Sequence, residues 1–195
     1  MRKLMLAAVL TFSVACGGGG GGGGIGSGSG PASVNGAIGG QSMSARDAIS
    51  NVLHFGNDDS AAVILITNAA NTCGKVAANQ QPKNGQAIVV TVGTQSATGA
   101  AAPASPGTYP VFSRAASDSI SGNVAIVEYA ASDASCKTAA AFEGASGTVT
   151  LTNVGPGTYS GTFDVTFSGS GGHVTGSFSS SACAALDGTI AGTCT

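Results

Sequence analysis

The stretch TVTLTNVGPGTYSGTFDVTFSGSGGHVTGSF, residues 148–178, decides the fold of this chain. In its central segment, every second residue is apolar or glycine, and Ser, Thr or Asp lies between them. The apolar or glycine positions are Tyr159, Gly161, Phe163, Val165 and Phe167. A period of two is typical of a β-strand with one buried face. A turn at 168–172 leads into a third alternating segment. The stretch therefore predicts an antiparallel meander with one apolar face and one Thr/Ser face.

Working outward, short apolar runs rich in β-branched residues predict further strands at 62–67, 87–92, 109–112 and 124–129. Pro110 would confine the strand at 109–112 to a sheet edge, since proline donates no hydrogen bond. Near the start of the domain, Gly39-Gly40 is a tight-turn signal and predicts a hairpin of 33–38 and 42–50. A helix beginning at Ser44 is the alternative, with Asp47 as its capping acid.

These segments predict an all-β fold. Apolar faces of two antiparallel sheets pack against each other, so we expect a single antiparallel β-sandwich of roughly 8–10 strands. It would occupy residues 31–195, and this length suits one domain.

The N-terminal segment predicts export. Arg2 and Lys3 precede a short apolar run, so residues 1–15 fit a signal peptide and fall short of the roughly 20 residues that span a bilayer. Residues 13–16, Ser-Val-Ala-Cys, resemble a bacterial lipobox, which predicts lipidation of Cys16. Residues 16–30 then form a flexible Gly/Ser linker with a reach of roughly 20 Å.

The lipobox match is imperfect because Ser13 stands where Leu is usual, and the same pattern suits the general signal peptidase. A plain secreted protein is therefore the alternative. The chain has five cysteines, an odd number for an exported protein. Lipidation of Cys16 would leave four that can pair. Gly17 follows Cys16 in place of an inner-membrane retention Asp, so we expect the cell envelope, at the outer membrane or cell surface.

Composition narrows the function classes. Charged residues make up 8% of the chain, against about 25% in ordinary globular proteins. Removing residues 1–15 would leave five basic and nine acidic residues, a net charge of −4. Nucleic-acid binding and electrostatic docking on anionic lipid are disfavoured, because both need clustered Lys and Arg. The chain has no Trp, which argues against sugar binding by aromatic stacking.

The chain resembles the glycine-linked surface lipoproteins of myxobacteria and their relatives, a family to which no activity or site can be attached. The resemblance covers most of the domain. It rests on Cys16 with its glycine run, residues 39–48, and residues 161–167 through 176–178 to Cys183. It implies a surface lipoprotein anchored to a membrane through its N-terminal lipid.

No catalytic constellation stands out. The two histidines are His173, at the start of a predicted strand, and His54, in a polar-flanked stretch. A Ser-His-Asp triad requires a specific geometry, and the large number of Ser and Asp residues in the chain is no evidence for it. Carboxylates that a glycosidase could pair are Glu128, Glu143, Asp164 and Asp47, and we expect them to be solvated. Aspartates in loops could help bind Ca²⁺, at Asp58, Asp59, Asp118, Asp133 and Asp187, but no calcium-loop spacing supports this. We expect no cofactor and no metal.

The cysteines after Cys16 predict two disulfides, since they are too widely spaced for a typical zinc site. The four are Cys73, Cys136, Cys183 and Cys194, and three connectivities are open. Cys183 and Cys194 are close in sequence, with an Asp-Gly turn at 187–188 between them. We therefore expect Cys183–Cys194 and Cys73–Cys136.

The sequence predicts a lipid-anchored, non-enzymatic envelope protein with a structural or binding role. The alternative is an anchored hydrolase acting on carbohydrate or envelope polymers. A third possibility is an adhesin, which an exposed apolar or Thr-rich flat face would favour. Whether the partner is a protein or a glycan stays open.

Overall fold

The computed structural model describes residues 31–55, 59–103, 105–117, 120–186 and 192–195. They form strands and two short helices, so the all-β prediction is confirmed. The helices are α1 (Thr72–Ala77) and α2 (Arg114–Ser117). The strands are β1 (Ala32–Gly36), β2 (Asp47–Phe55), β3 (Asp59–Thr67), β4 (Gln80–Gln81), β5 (Gln86–Ser96), β6 (Gly99–Ala101), β7 (Gly107–Pro110), β8 (Gly122–Ser132), β9 (Thr138–Gly155), β10 (Thr158–Phe167), β11 (Gly172–Ser179), β12 (Ser181–Ala182) and β13 (Thr193–Cys194).

Eleven of these strands join one sheet in the order β1-β11-β10-β9-β8-β5-β3-β2-β12, with β6 added to β5 and β7 added to β9. The pairs are antiparallel except that β12 runs parallel to β2. The remaining two strands, β4 and β13, form a separate parallel ribbon. The expected antiparallel sandwich of roughly 8–10 strands is thus confirmed only in part: nearly all pairs are antiparallel, but eleven strands form one large mixed sheet that curls around its core.

The long strand β9 explains why the sheet is continuous. Its N-terminal part pairs with β8, whereas its C-terminal part pairs with β7 on the same edge and with β10 on the other. Gly147 lies in β9 with φ of 130°, and a Cβ there would lie 2.0 Å from the carbonyl oxygen of Asp164. Glycine permits this backbone. Register shifts at 160/161 and 166/167 add local bends. The chain therefore turns from one half of the sheet into the other without a break.

Both halves of the sheet direct their apolar faces into one core. The buried side chains from the β2–β8 half include Ile64, Ile66, Ile88, Val90, Val127 and Tyr129. Those from the β9–β11 half include Val149, Leu151, Phe163, Val165, Phe167 and Val174. Each fully buried aliphatic or aromatic side chain contributes roughly 1.5–3 kcal/mol, so this core dominates the folding energy.

Two buried serines connect the halves where the sheet curls toward itself. The Ser50 hydroxyl on β2 donates to the carbonyl of Gly157 at 2.7 Å and lies 2.6 Å from the Ser180 hydroxyl. The Ser180 hydroxyl accepts the backbone N–H of Tyr159 at 3.0 Å. Buried polar groups are stable only when paired, so this network fixes how β2 sits against β10.

The predicted hairpin of 33–38 and 42–50 is wrong, although its turn exists. Ile38 and Gln41 exchange backbone hydrogen bonds of 2.8 and 3.0 Å around Gly39-Gly40. However, β1 pairs with β11, and β2 pairs with β3. After the turn the chain leaves β1, because Met43 and Ala45 bury their side chains in the core. The alternative helix from Ser44 does not form either.

The polar segment 74–85, with Pro82 and Asn84-Gly85, predicts a loop, but it contains most of helix α1. The carboxylate of Asp47 accepts the N–H of Thr72 at 2.7 Å, at the first turn of α1. A second apolar cluster lies on this outer side of the sheet and includes Leu65, Val89 and Leu186. Val76 of α1 packs against that cluster, which is why the segment becomes helical there.

Two disulfides are present, as expected, but the predicted pairing is wrong. Cys73 is bonded to Cys183 and Cys136 to Cys194, with Cα–Cα distances of 5.7 and 5.6 Å. β12 pairs with β2 and carries Cys183 toward α1, where Cys73 lies. Residues 193–194 instead pair with β4, next to Cys136. The two short parallel strand pairs, β12 with β2 and β13 with β4, therefore decide which cysteines are bonded, whereas proximity in sequence does not.

Candidate functional site

One outward surface of the sheet carries an almost uniform set of hydroxyl side chains, which we call the hydroxyl face. Five neighbouring strands form it, in the order β1-β11-β10-β9-β7. Its side chains alternate with the core residues of the same strands, as the sequence pattern predicts. Its members are Ser33, Asn35, Thr108, Thr148, Thr150, Thr152, Ser160, Thr162, Asp164, Thr166, His173, Thr175 and Ser177.

The strand register aligns five hydroxyls in one row across five strands, here called the hydroxyl row. The residues pair in sequence as Ser33, Ser177, Thr162, Thr150 and Thr108. Neighbouring strands lie about 4.7–4.9 Å apart, so the row is about 19 Å long. The Ser33 and Ser177 hydroxyls hydrogen-bond each other at 2.9 Å. The side chains of Thr162 and Thr108 are exposed and that of Thr150 is half-buried, and none of the three hydroxyls has a hydrogen-bond partner among the described residues.

His173 and Asp164 form the one ionisable pair on this face. The imidazole Nε2 donates to Asp164 Oδ1 at 2.7 Å, between side chains that are 55% and 61% exposed. They are diagonal neighbours on β11 and β10, since His173 pairs with Thr166 and Asp164 pairs with Thr175. The position of His173 after Gly171-Gly172, at the start of a predicted strand, predicts that it faces solvent, and this is confirmed. Within the described ranges, no serine hydroxyl bonds to its ring, so two members of a triad are present without a nucleophile.

The other candidate carboxylates have structural partners. Glu128 and Glu143 are directly paired on β8 and β9, which would be repulsive without a cation. Arg114 supplies it: its guanidinium bonds Glu128 at 2.7 Å, and its backbone N–H donates to Glu143. The second Glu128 oxygen is buried and has no hydrogen-bond partner among the residues that the structure describes. Asp47 belongs to the first turn of α1, as described above. Glu128 is thus held in an ion pair and is not solvated as expected.

No pattern in the sequence singles out Arg114. It lies in α2, 14 residues before Glu128 and 29 before Glu143, and the pairing of β8 with β9 places both glutamates beside it. The other histidine, His54, is exposed at the end of β2 opposite Ser60.

The aspartates considered for Ca²⁺ accept hydrogen bonds from backbone N–H groups where they are described. Asp59 accepts the N–H of Ala100 at 2.7 Å. Asp133 accepts those of Ser135 and Lys137 at 2.8 and 2.9 Å. Asp58, Asp118 and Asp187 lie outside the described residues. In the part of the chain that the structure describes, no three His, Cys, Asp or Glu side chains are grouped so as to hold a metal.

A small cavity lies beneath α1, on the outer side of the sheet away from the core. Its volume is about 50 Å³, and its lining includes Leu65, Thr72, Lys75, Val76 and Gln81. Both disulfides are adjacent, one through the helix and one through β4. A volume of this size holds a few water molecules and is too small to enclose a sugar or a peptide side chain.

The signal peptide at 1–15, the lipidation site at Cys16 and the linker at 16–30 lie outside the described residues. Among those that are described, no helix has the length and apolar character needed to cross a membrane.

Comparisons with known proteins returned no match: no family model, no curated protein and no solved structure matches this chain. The resemblance to glycine-linked lipoproteins therefore stays a prediction.

Proposed function

We propose that this protein is a lipid-anchored, non-enzymatic binding module of the cell envelope, and that the hydroxyl face is its contact surface. The observation that carries the proposal is the hydroxyl row, with five Ser and Thr side chains in register across five strands. A solvated Thr/Ser face is common on antiparallel sheets. The width of this one, and its single ionisable pair, make it a continuous surface that can engage a partner.

The N-terminal sequence supports the location. Lipidation at Cys16 would fix the chain to a membrane, and the glycine linker up to residue 30 would let the domain move roughly 20 Å from the lipid headgroups. A module on such a tether can turn a flat face toward material outside the membrane.

The arrangement of the described carboxylates favours binding over catalysis. General acid–base catalysis needs groups positioned around a substrate that is shielded from water. Glu128 and Glu143 are instead held by Arg114, while Asp164 and His173 lie on an open surface. The cavity under α1 is too small for a substrate.

A charged substitution at the centre of the face tests the proposal. Thr162→Glu adds a carboxylate in the middle of the hydroxyl row, and Thr138→Glu adds the same charge at an exposed position of β9 outside it. The lipidated protein in liposomes should bind isolated cell-envelope material, and Thr162→Glu should reduce that binding while Thr138→Glu leaves it unchanged. Equal effects of the two substitutions, or no binding of the wild type, would refute the proposal.

The second candidate is an envelope-anchored hydrolase. The observation in its favour is the Asp164–His173 hydrogen bond, which orients an imidazole as a catalytic triad does. Its test is turnover of ester, peptide and glycoside substrates by the wild type and by His173→Gln, with His54→Gln as the matched control. Turnover that His173→Gln alone abolishes would replace the binding proposal with this one.

A further inference from the structure

The charges of the hydroxyl face limit what it can bind. Asp164 and His173 are its only ionisable members, and they bond each other. Phosphates, nucleic acids and acidic polymers require clustered cations, which this face lacks. A cationic partner would require several carboxylates. Charge complementarity therefore favours an uncharged partner.

The face also lacks the side chains that dominate contacts between folded proteins. Those contacts depend on Trp, Tyr and Arg anchors, and none is among the members of the face. Every tyrosine of the chain is buried in the core, at Tyr109, Tyr129 and Tyr159. Strand spacing and rise give a face about 19 Å wide and about 20 Å long, or about 400 Å². This is about half of the roughly 800 Å² per partner of a stable protein interface.

What the face offers is a periodic array of groups that both donate and accept hydrogen bonds. Side chains repeat about every 4.8 Å across the strands and about every 6.8 Å along them. An extended chain of neutral sugars presents a matching array, with hydroxyl groups repeating along its length. A chain lying along the hydroxyl row can meet the open hydroxyls of Thr162, Thr150 and Thr108 in succession.

We propose that the hydroxyl face binds an extended neutral polysaccharide, which lies across the strands along the hydroxyl row. This inference rests on the proposed binding function and specifies its partner. Because each solvent-competed hydrogen bond contributes little, three or four of them give one domain a Kd on the order of 1 mM. Many tethered copies on one membrane can tighten the apparent affinity about 10²–10⁴-fold. The partner must therefore be a polymer, since a single sugar cannot engage several copies.

The test uses the lipidated full chain in neutral liposomes, sedimented with insoluble cellulose, chitin or starch, and with insoluble calcium alginate as the acidic control. Liposomes should sediment with at least one neutral polysaccharide and not with alginate. Binding should persist at high salt, because no ion pair with the ligand is involved.

Isosteric variants locate the contact. Thr162→Val and Thr108→Val together remove two hydroxyls of the row while keeping shape and strand preference, and should weaken sedimentation about 10-fold. Thr162→Ser keeps the hydroxyl and should retain binding. Thr138→Val, on β9 but outside the face, is the control and should have no effect.

No sedimentation with any of the three neutral polysaccharides would overturn the inference, and so would binding to alginate alone. Equal losses in the Thr162→Val/Thr108→Val and Thr138→Val proteins would also overturn it. Envelope binding that Thr162→Glu reduces, without any polysaccharide binding, would refute this inference and leave the proposed binding function standing.

Discussion

Replacing Cys136 and Cys194 by serine tests the role of the C-terminal bridge. That bridge holds β13 against β4, where Thr195 donates its backbone N–H to the carbonyl of Gln81 at 2.9 Å. Serine preserves most of the side-chain volume at Cys136, which is buried. The substitution therefore removes the covalent link with little change in packing.

The magnitude follows from the two loop lengths. The bridges join residues that are 58 and 110 positions apart. The chain-entropy relation gives about 4.2 kcal/mol for the 58-residue loop and about 4.8 kcal/mol for the 110-residue loop. Either value is a large share of the roughly 5–15 kcal/mol stability of a typical domain. Loss of Cys136–Cys194 should therefore cost about 4 kcal/mol, and loss of Cys73–Cys183 slightly more.

Urea unfolding followed by circular dichroism measures the cost, and non-reducing peptide mapping of the wild type checks the connectivity. A loss of stability below about 1 kcal/mol for both variants would refute the entropic argument. A peptide joining Cys73 to Cys136 would refute the interleaved pairing itself. Four alkylatable thiols in the native protein would refute the oxidised fold.

Three further predictions concern the core and the anchor. Burial raises the pKa of all three tyrosine phenols above the ordinary 10.0, so the unfolded chain loses these protons at a lower pH than the folded chain. The stability that the buried phenols contribute is fully present below pH 10.0 and is lost as the pH rises through their pKa values in the folded protein. Phenolate absorbance and loss of β-sheet circular dichroism should appear together in an alkaline titration, and phenolate formation in a still-folded protein would contradict this. Gly176→Ala should destabilise the domain by about 1–3 kcal/mol in urea unfolding. The reason is that a Cβ at this position would lie 2.1 Å from the carbonyl oxygen of Ser33 and 2.3 Å from the Phe163 ring. An unchanged midpoint of urea unfolding would show that the strands can separate at no cost. Cys16→Ser should move the protein from the detergent phase to the aqueous phase, and a wild type that already partitions into the aqueous phase would refute the lipid anchor.

The alternating stretch at 148–178 was sufficient to predict three strands, their buried faces and the Thr/Ser character of their outer faces. Its pattern is local, because successive side chains of a strand point to opposite sides. The apolar runs at 62–67 and 87–92 likewise lie within β3 and β5. The residues of the hydroxyl face on β9, β10 and β11 could therefore be predicted from sequence.

The contributions of β1 and β7 to that face could not be predicted. β1 joins β11 across more than a hundred residues, and the sequence favoured a local hairpin instead. Pairing of β1 with β11 and pairing in a local hairpin would both satisfy the backbone hydrogen bonds of β1, so the local sequence pattern does not distinguish them. Burial of Met43 and Ala45 in the core decides between the two.

The sequence by itself determined the all-β class, the apolar and hydroxyl faces of the meander, and the presence of two disulfides. Tertiary structure alone decided the single curled sheet, the Arg114 ion pair, the row of five hydroxyls and the pairing of the cysteines. Cys183 reaches Cys73 only because β12 adds to β2, and Cys194 reaches Cys136 only because β13 adds to β4. Strand periodicity is set by each residue and its neighbours, whereas the choice of strand partners depends on which long-range arrangement buries the most apolar surface.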